Sequence, residues 1–368
     1  MPNDGAPLIR RYRRLLLTYP RAYRRERGDE LLDTLRDAAR PGRTRPTVRE
    51  AVNLIGHGLR CRLGRPASRT VVVWAVLTAV VWGLFGAAAA TRVAWETARP
   101  LPDPVAARAV LSGVFPEHEI GVIEPAPALF LIYGQPLSWE ALPSLLFFDG
   151  GEYGPAAVGT GVTGHPPIDP DEIVARTRQR LRDGGWQVAD PLVRNAVDCP
   201  DGRCDPTNLT TLVAQRGDTI LTVEVSSRTT VQDTYLWVAL TRAAPLAVHP
   251  AAMAGGLLGA AIAWLVFGWA SRRTEGRSVV RVTVTMLFGL ALVLWWLPVL
   301  LTVPGLLRHH RTEAHPTPHP LWEWLGQPAG SLLFVVGCAA ALLGLALATL
   351  PRRQPALHVG QRSATPAG

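Results

Sequence analysis

Residues 70–91 read TVVVWAVLTAVVWGLFGAAAAT, 22 positions without a charged side chain. A helix needs about 20 predominantly apolar residues to cross the hydrocarbon core of a bilayer. The pattern recurs three times: 29 charge-free residues separate Arg242 from Arg272, 26 separate Arg281 from Arg308, and 28 separate Glu323 from Arg352. The spacing predicts transmembrane helices over 70–91, 250–271, 281–303 and 329–350. A soluble core accommodates one such helix far more readily than four. Trp74, Trp95, Trp269, Trp322 and Trp324 fall near the ends of these runs, where an interfacial aromatic belt places them.

The composition agrees. Of the 368 residues, 48% are hydrophobic and 18% charged, against roughly 25% charged in soluble proteins. A disordered chain and an ordinary soluble enzyme are both disfavoured. All 38 basic side chains are arginines. The lysine-dependent chemistries are therefore excluded: the P-loop NTPase lysine, the kinase lysine and Schiff-base catalysis.

Arginine placement predicts the threading, since basic residues concentrate on the cytoplasmic side. Segment 1–69 holds 17 Arg and 7 acidic residues, a net charge of +10. Arg272, Arg273, Arg277 and Arg281 join the second and third runs, and Arg352, Arg353 and Arg362 follow the fourth. Segment 92–248 holds 12 Arg and 19 acidic residues, a net charge of −7. The expected layout has a basic helical cytoplasmic domain (1–69), a first helix (70–91) acting as an uncleaved signal anchor, and an extracytoplasmic domain (92–249). A second helix (250–271), a cytoplasmic loop (272–280) and a third helix (281–303) follow. A His-rich extracytoplasmic loop (304–328), a fourth helix (329–350) and a cytoplasmic tail (351–368) complete it. The fold class is an α-helical integral membrane protein with an all-α head and an α+β outer domain, in the cell membrane, both termini cytoplasmic.

Three short helices are expected in the head. Leu8, Ile9, Tyr12, Leu15 and Leu16 mark the first, which Pro20 ends. The second runs from about Ala22 to Ala39. Thr47 and Glu50 fit a capping box opening the third, in which Val48, Val52, Ile55 and Leu59 share one face. The string RRYRRLLLTYPRAYRRERGDELLDTL (10–35), with its Tyr-Pro break and Gly-Asp-Glu-Leu-Leu helix, resembles the helical cytoplasmic module of HAAS-type and permease-prefix membrane proteins of high-GC bacteria. The resemblance covers about 60 residues and implies a signalling or membrane-accessory role, often beside PadR-like regulators. It brings no catalytic residues. The arginines before the first helix suit anionic lipid headgroups better than nucleic acid, and no nucleic-acid partner is expected.

In the outer domain, Asp169-Pro170-Asp171-Glu172 opens a helix that Gly184-Gly185 ends. Residues 104–114 read as helix, and 128–133 and 144–148 as buried strands. Leu221, Val223 and Val225, then Leu236, Val238 and Leu240, alternate with period two, as half-buried strands do. Arg216-Gly217-Asp218 joins 209–215 to 219–226, so its resemblance to an adhesion motif reads as a turn. Together these predict a mainly antiparallel sheet.

Candidate chemistry is sparse. Cys199 and Cys204 bracket a turn sequence and are expected to form a disulfide in an oxidising compartment. Cys61 and Cys338 read as reduced packing residues. His309, His310, His315 and His319 could hold zinc or copper, yet their spacing matches no metalloprotease motif and their prolines predict an extended loop. Glu117-His118-Glu119 places a histidine between two carboxylates, which would raise its pKa. No nucleophile elbow or dinucleotide loop accompanies it, so no enzyme activity and no cofactor is expected. The helix centres carry no Asp, Glu, Arg or His, which weighs against transport. Ala251, Gly255 and Gly259, and Gly337 with Ala341, are spaced for close helix packing, within one bundle or between copies of the chain. The expected function is a non-enzymatic signalling or accessory protein, its head engaging a cytoplasmic regulator or membrane partner through residues 1–69. A permease accessory subunit is the alternative, and a cell-envelope enzyme a third.

Overall fold

The computed structural model describes residues 6–40, 42–64, 68–126, 131–132, 135–136, 139, 154–163, 169–198, 205–228, 234–312, 319–326 and 331–351. The head begins with α1 (Ala6–Leu15), tightened into a 3₁₀ turn over Leu16–Thr18. Tyr19 is extended (φ −78°, ψ 153°). The residue before a proline is pushed out of the helical region, so the chain turns at Tyr19-Pro20 and α2 (Arg21–Asp37) starts there. Leu8, Tyr12 and Leu16 form one buried stripe that meets Tyr19, Leu32 and Leu54.

The expected capping box opens α3 (Val48–Arg62): the Thr47 hydroxyl accepts from the Glu50 amide at 3.2 Å, and the Thr47 amide donates to the Glu50 carboxylate at 3.0 Å. The packed face is a different one from that carrying the regular apolar spacing. Leu54 and Gly58 are buried, whereas Val48 and Val52 are 81% and 61% exposed. The reason is steric. A Cβ at Gly58 would lie 2.2 Å from Thr18 Oγ1 and 2.8 Å from the Tyr19 ring. Only a glycine lets α3 approach the Tyr19-Pro20 break, and that contact sets its rotation.

Among the described residues, four helices are long and apolar enough to cross a membrane: α4 (Arg69–Trp95), α7 (Val248–Arg273), α8 (Ser278–Thr312) and α9 (Ser331–Thr349). α4 and α7 touch backbone to backbone. A Cβ on Gly86 would meet the Gly255 carbonyl at 2.5 Å, and one on Gly259 the Trp82 carbonyl at 2.4 Å. Small residues allow this approach, and dispersion between the two backbones rewards it. α8 and α9 form the second pair, with Gly337 beneath Trp295. The pairs join through Trp82 edge-on to Trp295 (centroids 5.3 Å apart) and Phe85 against Phe334 (4.8 Å). α8 contains Pro298 and Pro304 and runs on to Thr312, so residues 304–312, expected in a loop, are helical. Each proline removes one N–H from the ladder but need not end the helix.

Between α4 and α7 lies the sheet domain. Every strand pair among the described residues is antiparallel. The order is β1 (Glu119–Ile120), β5 (Ala157–Thr163), β10 (Thr234–Arg242), β9 (Thr219–Arg228), β8 (Asp205–Arg216), β6 (Gln187–Val188). β2 (Glu124–Ala126) also pairs with β5, and β7 (Leu192–Asp198) with β8. β3 (Leu131–Ile132) and β4 (Gln135–Pro136) pair separately. The expected strand over 144–148 lies outside the described residues.

Among the described residues, two helices cover one face. α5 (Pro104–Val114) is capped by Asp103 and α6 (Pro170–Asp183) by Asp169, each with proline at its first position. Leu111, Val114, Ile173 and Leu181 pack on Val158, Leu212, Leu221, Val223, Leu236, Val238 and Leu240. The predicted alternation thus places its apolar residues against the helices. On the opposite face, Trp237 covers Gly159 and Tyr235 leans over Gly161.

Candidate functional site

Among the described residues, those singled out for chemistry do not converge. His309 and His310 lie on the last turns of α8, His315 lies outside the described residues, and His319 Nδ1 hydrogen-bonds the Glu323 carboxylate four residues on. Among the described residues no three His, Cys, Asp or Glu side chains are grouped to hold a metal ion. Cys199 and Cys204 lie outside the described residues. Cys61 and Cys338 are free thiols. Partial burial against the head core pushes the Cys61 thiol up, which favours its protonated form.

His118 departs from expectation. Its pKa is lowered: burial, the largest cause, disfavours the imidazolium, and with weaker repulsion from Arg180 and Arg176 it overrides the opposing pull of Glu117. Glu117 is itself engaged, accepting from Arg180 at 2.9 Å and lying 3.5 Å from Arg176. The arginines come from α6, 59 to 63 residues away, and no local motif announces them.

What the tertiary structure does assemble are two fastenings at opposite ends of the α4–α7 pair. The first is at the sheet domain. The β8–β9 hairpin closes with a two-residue loop, Gly217-Asp218, since Arg216 pairs with Thr219. Gly217 takes φ 63°, the left-handed conformation such loops require. Asp218 then accepts from both Arg99 Nε and Nη2 at 2.6 Å and lies 3.2 Å from Arg242 Nη1. Its carbonyl accepts from the Ala243 amide at 2.9 Å. Arg99 follows α4 and Arg242 precedes α7, so one hairpin tip holds both connections to the helix pair. The Arg99 guanidinium is the main cause of the depressed Asp218 pKa.

The second fastening is at the head. Arg62 donates to the Leu17 carbonyl at 2.8 Å and also to the Thr18 carbonyl, capping the C-terminal end of the first helical segment with a cation. Trp264 Nε1 on α7 donates to the Leu59 carbonyl at 3.2 Å. One turn later, a Cβ on Gly268 would lie 2.8 Å from the Arg62 carbonyl, and after another turn the Arg272 stem covers Gly64. Trp264, Gly268 and Arg272 recur every four residues, so one face of α7 receives the end of α3. Behind it, Glu50 gathers Tyr12 Oη at 2.9 Å, Arg43 Nη1 and Nη2 at 3.1 and 2.8 Å, and the Thr47 amide. These donors, Arg43 first, hold the carboxyl at about 2.

A crevice of about 100 Å³ opens where α4, α7 and α8 meet near the head. Trp74, Phe267 and Phe288 line it, with Ser271, Thr285 and Arg281 among its polar groups. Ligand pockets usually measure roughly 300 Å³ or more, so this crevice is small for one. Neither fastening was legible beforehand. The local signals were the expected turn at Gly217 and glycines inside helices, Gly58 and Gly268, each costing about 1 kcal/mol against alanine unless packing needs it; none of them names a distant partner. Scanned against protein-family models and searched against curated proteins and solved structures, the chain matches none of them.

Proposed function

We propose that the chain is a non-enzymatic, multi-pass protein of the cell membrane, with head and C-terminal tail in the cytoplasm and the sheet domain outside, acting as a signalling or accessory protein. The observation that carries this reading is the double fastening. Asp218 grips both connections at one end of the α4–α7 pair, and Trp264, Gly268 and Arg272 receive the head at the other. The pair between them is packed closely through Gly86, Gly255 and Gly259. A ligand that shifts the hairpin tip has a contiguous physical route to the head, which is what coupling between two sites needs. The net +10 of segment 1–69 supports the orientation.

The test is hydrogen exchange on the full-length protein in lipid nanodiscs, wild type against Asp218→Asn. Faster exchange is expected at Arg99 and Arg242 and also in α3, with α6 unchanged. A change confined to the hairpin and its two connections would sink the coupling. Orientation is tested by trypsin on sealed vesicles, which can cut only at arginine. Inside-out vesicles should lose the head and right-side-out vesicles keep it; the reverse pattern refutes the threading. Carboxylate-directed crosslinking, necessary in a lysine-free chain, then identifies the partner of residues 1–69.

A further inference from the structure

The stripe Val48, Val52, Ile55 and Leu59 recurs at spacings of four, three and four, so it forms one face of α3. The head core takes the adjacent face, Leu54 and Gly58, and leaves Val48, Val52 and Ile55 exposed. An exposed row of branched aliphatic side chains is unfavourable in water. Its position supplies an occupant. The stripe ends at Leu59, whose carbonyl is bonded by Trp264 of α7. Trp264 lies eight residues before Arg272, the first charge at that end of the helix, or about 12 Å along its axis at 1.5 Å per residue. The end of α3 is therefore level with the uncharged part of α7. There Ile262, Leu265 and Val266 are themselves exposed.

We infer that α3 is an interfacial helix whose Val48–Val52–Ile55–Leu59 stripe lies in the lipid of the leaflet on the head's side, continuous with the lipid-facing surface of α7. The inference rests on the membrane-spanning reading. The rest of the helix fits that placement. Arg49 and Arg60, eleven residues apart, share the flank beyond the stripe and reach headgroup phosphates. Asn53 and His57 point away from it and meet water. Glu50, the one acid of the helix, is held by Arg43 and Tyr12 within the head. The head thus becomes a membrane-seated module, positioned by lipid along one helix and by α7 at its end.

The test places a photoreactive benzophenone amino acid singly at 48, 52, 53, 57 and 262 in the full chain, irradiates native membranes and reads the adducts by mass spectrometry. All five positions are exposed, so folding is not at stake. Phospholipid adducts are expected at 48, 52 and 262, and not at 53 or 57. Adducts at 262 without any at 48 and 52 overturn the placement of α3 alone. Crosslinks from 52 to a protein or to a second copy overturn it too, by naming a different occupant. Absence of lipid adducts at 262 refutes the spanning reading itself.

Discussion

Asp218 and Arg99 stand 119 residues apart and meet through two hydrogen bonds of 2.6 Å, the planar guanidinium matched to both carboxylate oxygens. The same carboxylate reaches Arg242. A turn residue of the sheet thus ties the chain leaving α4 to the chain entering α7. Asp218→Asn keeps the hairpin but cannot hold two cations. Its expected effect is a small loss of thermal stability together with loosened connections, read as faster exchange at Ala243, whose amide donates to the backbone carbonyl of residue 218 and stays protected only while the connection is held in place. An unchanged exchange rate there would count against the fastening.

Glu50 makes the head sensitive to acid. Its folded pKa of about 2 lies below its ordinary value of 4.5, so on acidification the unfolded chain takes up the proton first. The stability it contributes is complete above about 4.5 and is lost as pH falls towards 2. Glu50→Gln should abolish that slope in a pH series of thermal melts. Tyr12→Phe, which removes one buried donor, should cost about 1 kcal/mol and leave most of the slope in place.

His118 gives the opposite end of the molecule its own pH dependence. Its folded pKa is depressed, so between that value and 6.5 the unfolded state binds more protons. Stability of the sheet domain is complete above 6.5 and declines as pH falls below it. His118→Asn should flatten the change in melting temperature between pH 7 and pH 5. A variant that retains the full decline would show that another group is responsible.

Gly58→Ala tests the steric account of the head. Alanine improves helix propensity by about 1 kcal/mol over glycine. The new Cβ would nevertheless overlap Thr18 and Tyr19, and overpacking of that kind costs about 1–3 kcal/mol. A net loss is expected in denaturant titrations, and a net gain would disprove the close approach.

Gly255→Leu tests the helix pair. A Cβ there would meet the Gly86 carbonyl and the Ala90 Cβ, both at 2.4 Å, and backbone cannot yield as a side chain does. Separation of α4 from α7 is expected, read as reduced resistance to unfolding in mixed detergent. Leu257→Phe, at a position 72% exposed, serves as the matched control with no effect.

Much of the architecture was readable from local pattern. Charge-free runs, the Thr47–Glu50 and Asp169–Pro170 helix starts, and the alternation of Leu236, Val238 and Leu240 are one-dimensional signals, because propensity and periodicity act over a few residues. The sequence by itself therefore determined the four apolar helices, the helical head and the antiparallel sheet between them. It did not determine which face of α3 packs, since Val48, Val52 and Ile55 present the more regular stripe and the choice was made by a glycine contact with Thr18. Nor did it determine the direction in which the His118 pKa moves, set first by burial against the pull of Glu117, with arginines of another helix adding to burial. The grip of Asp218 on Arg99 and Arg242 lay equally out of reach. Each of these depends on residues tens to more than a hundred positions apart, and only the packed chain brings their charges and surfaces together.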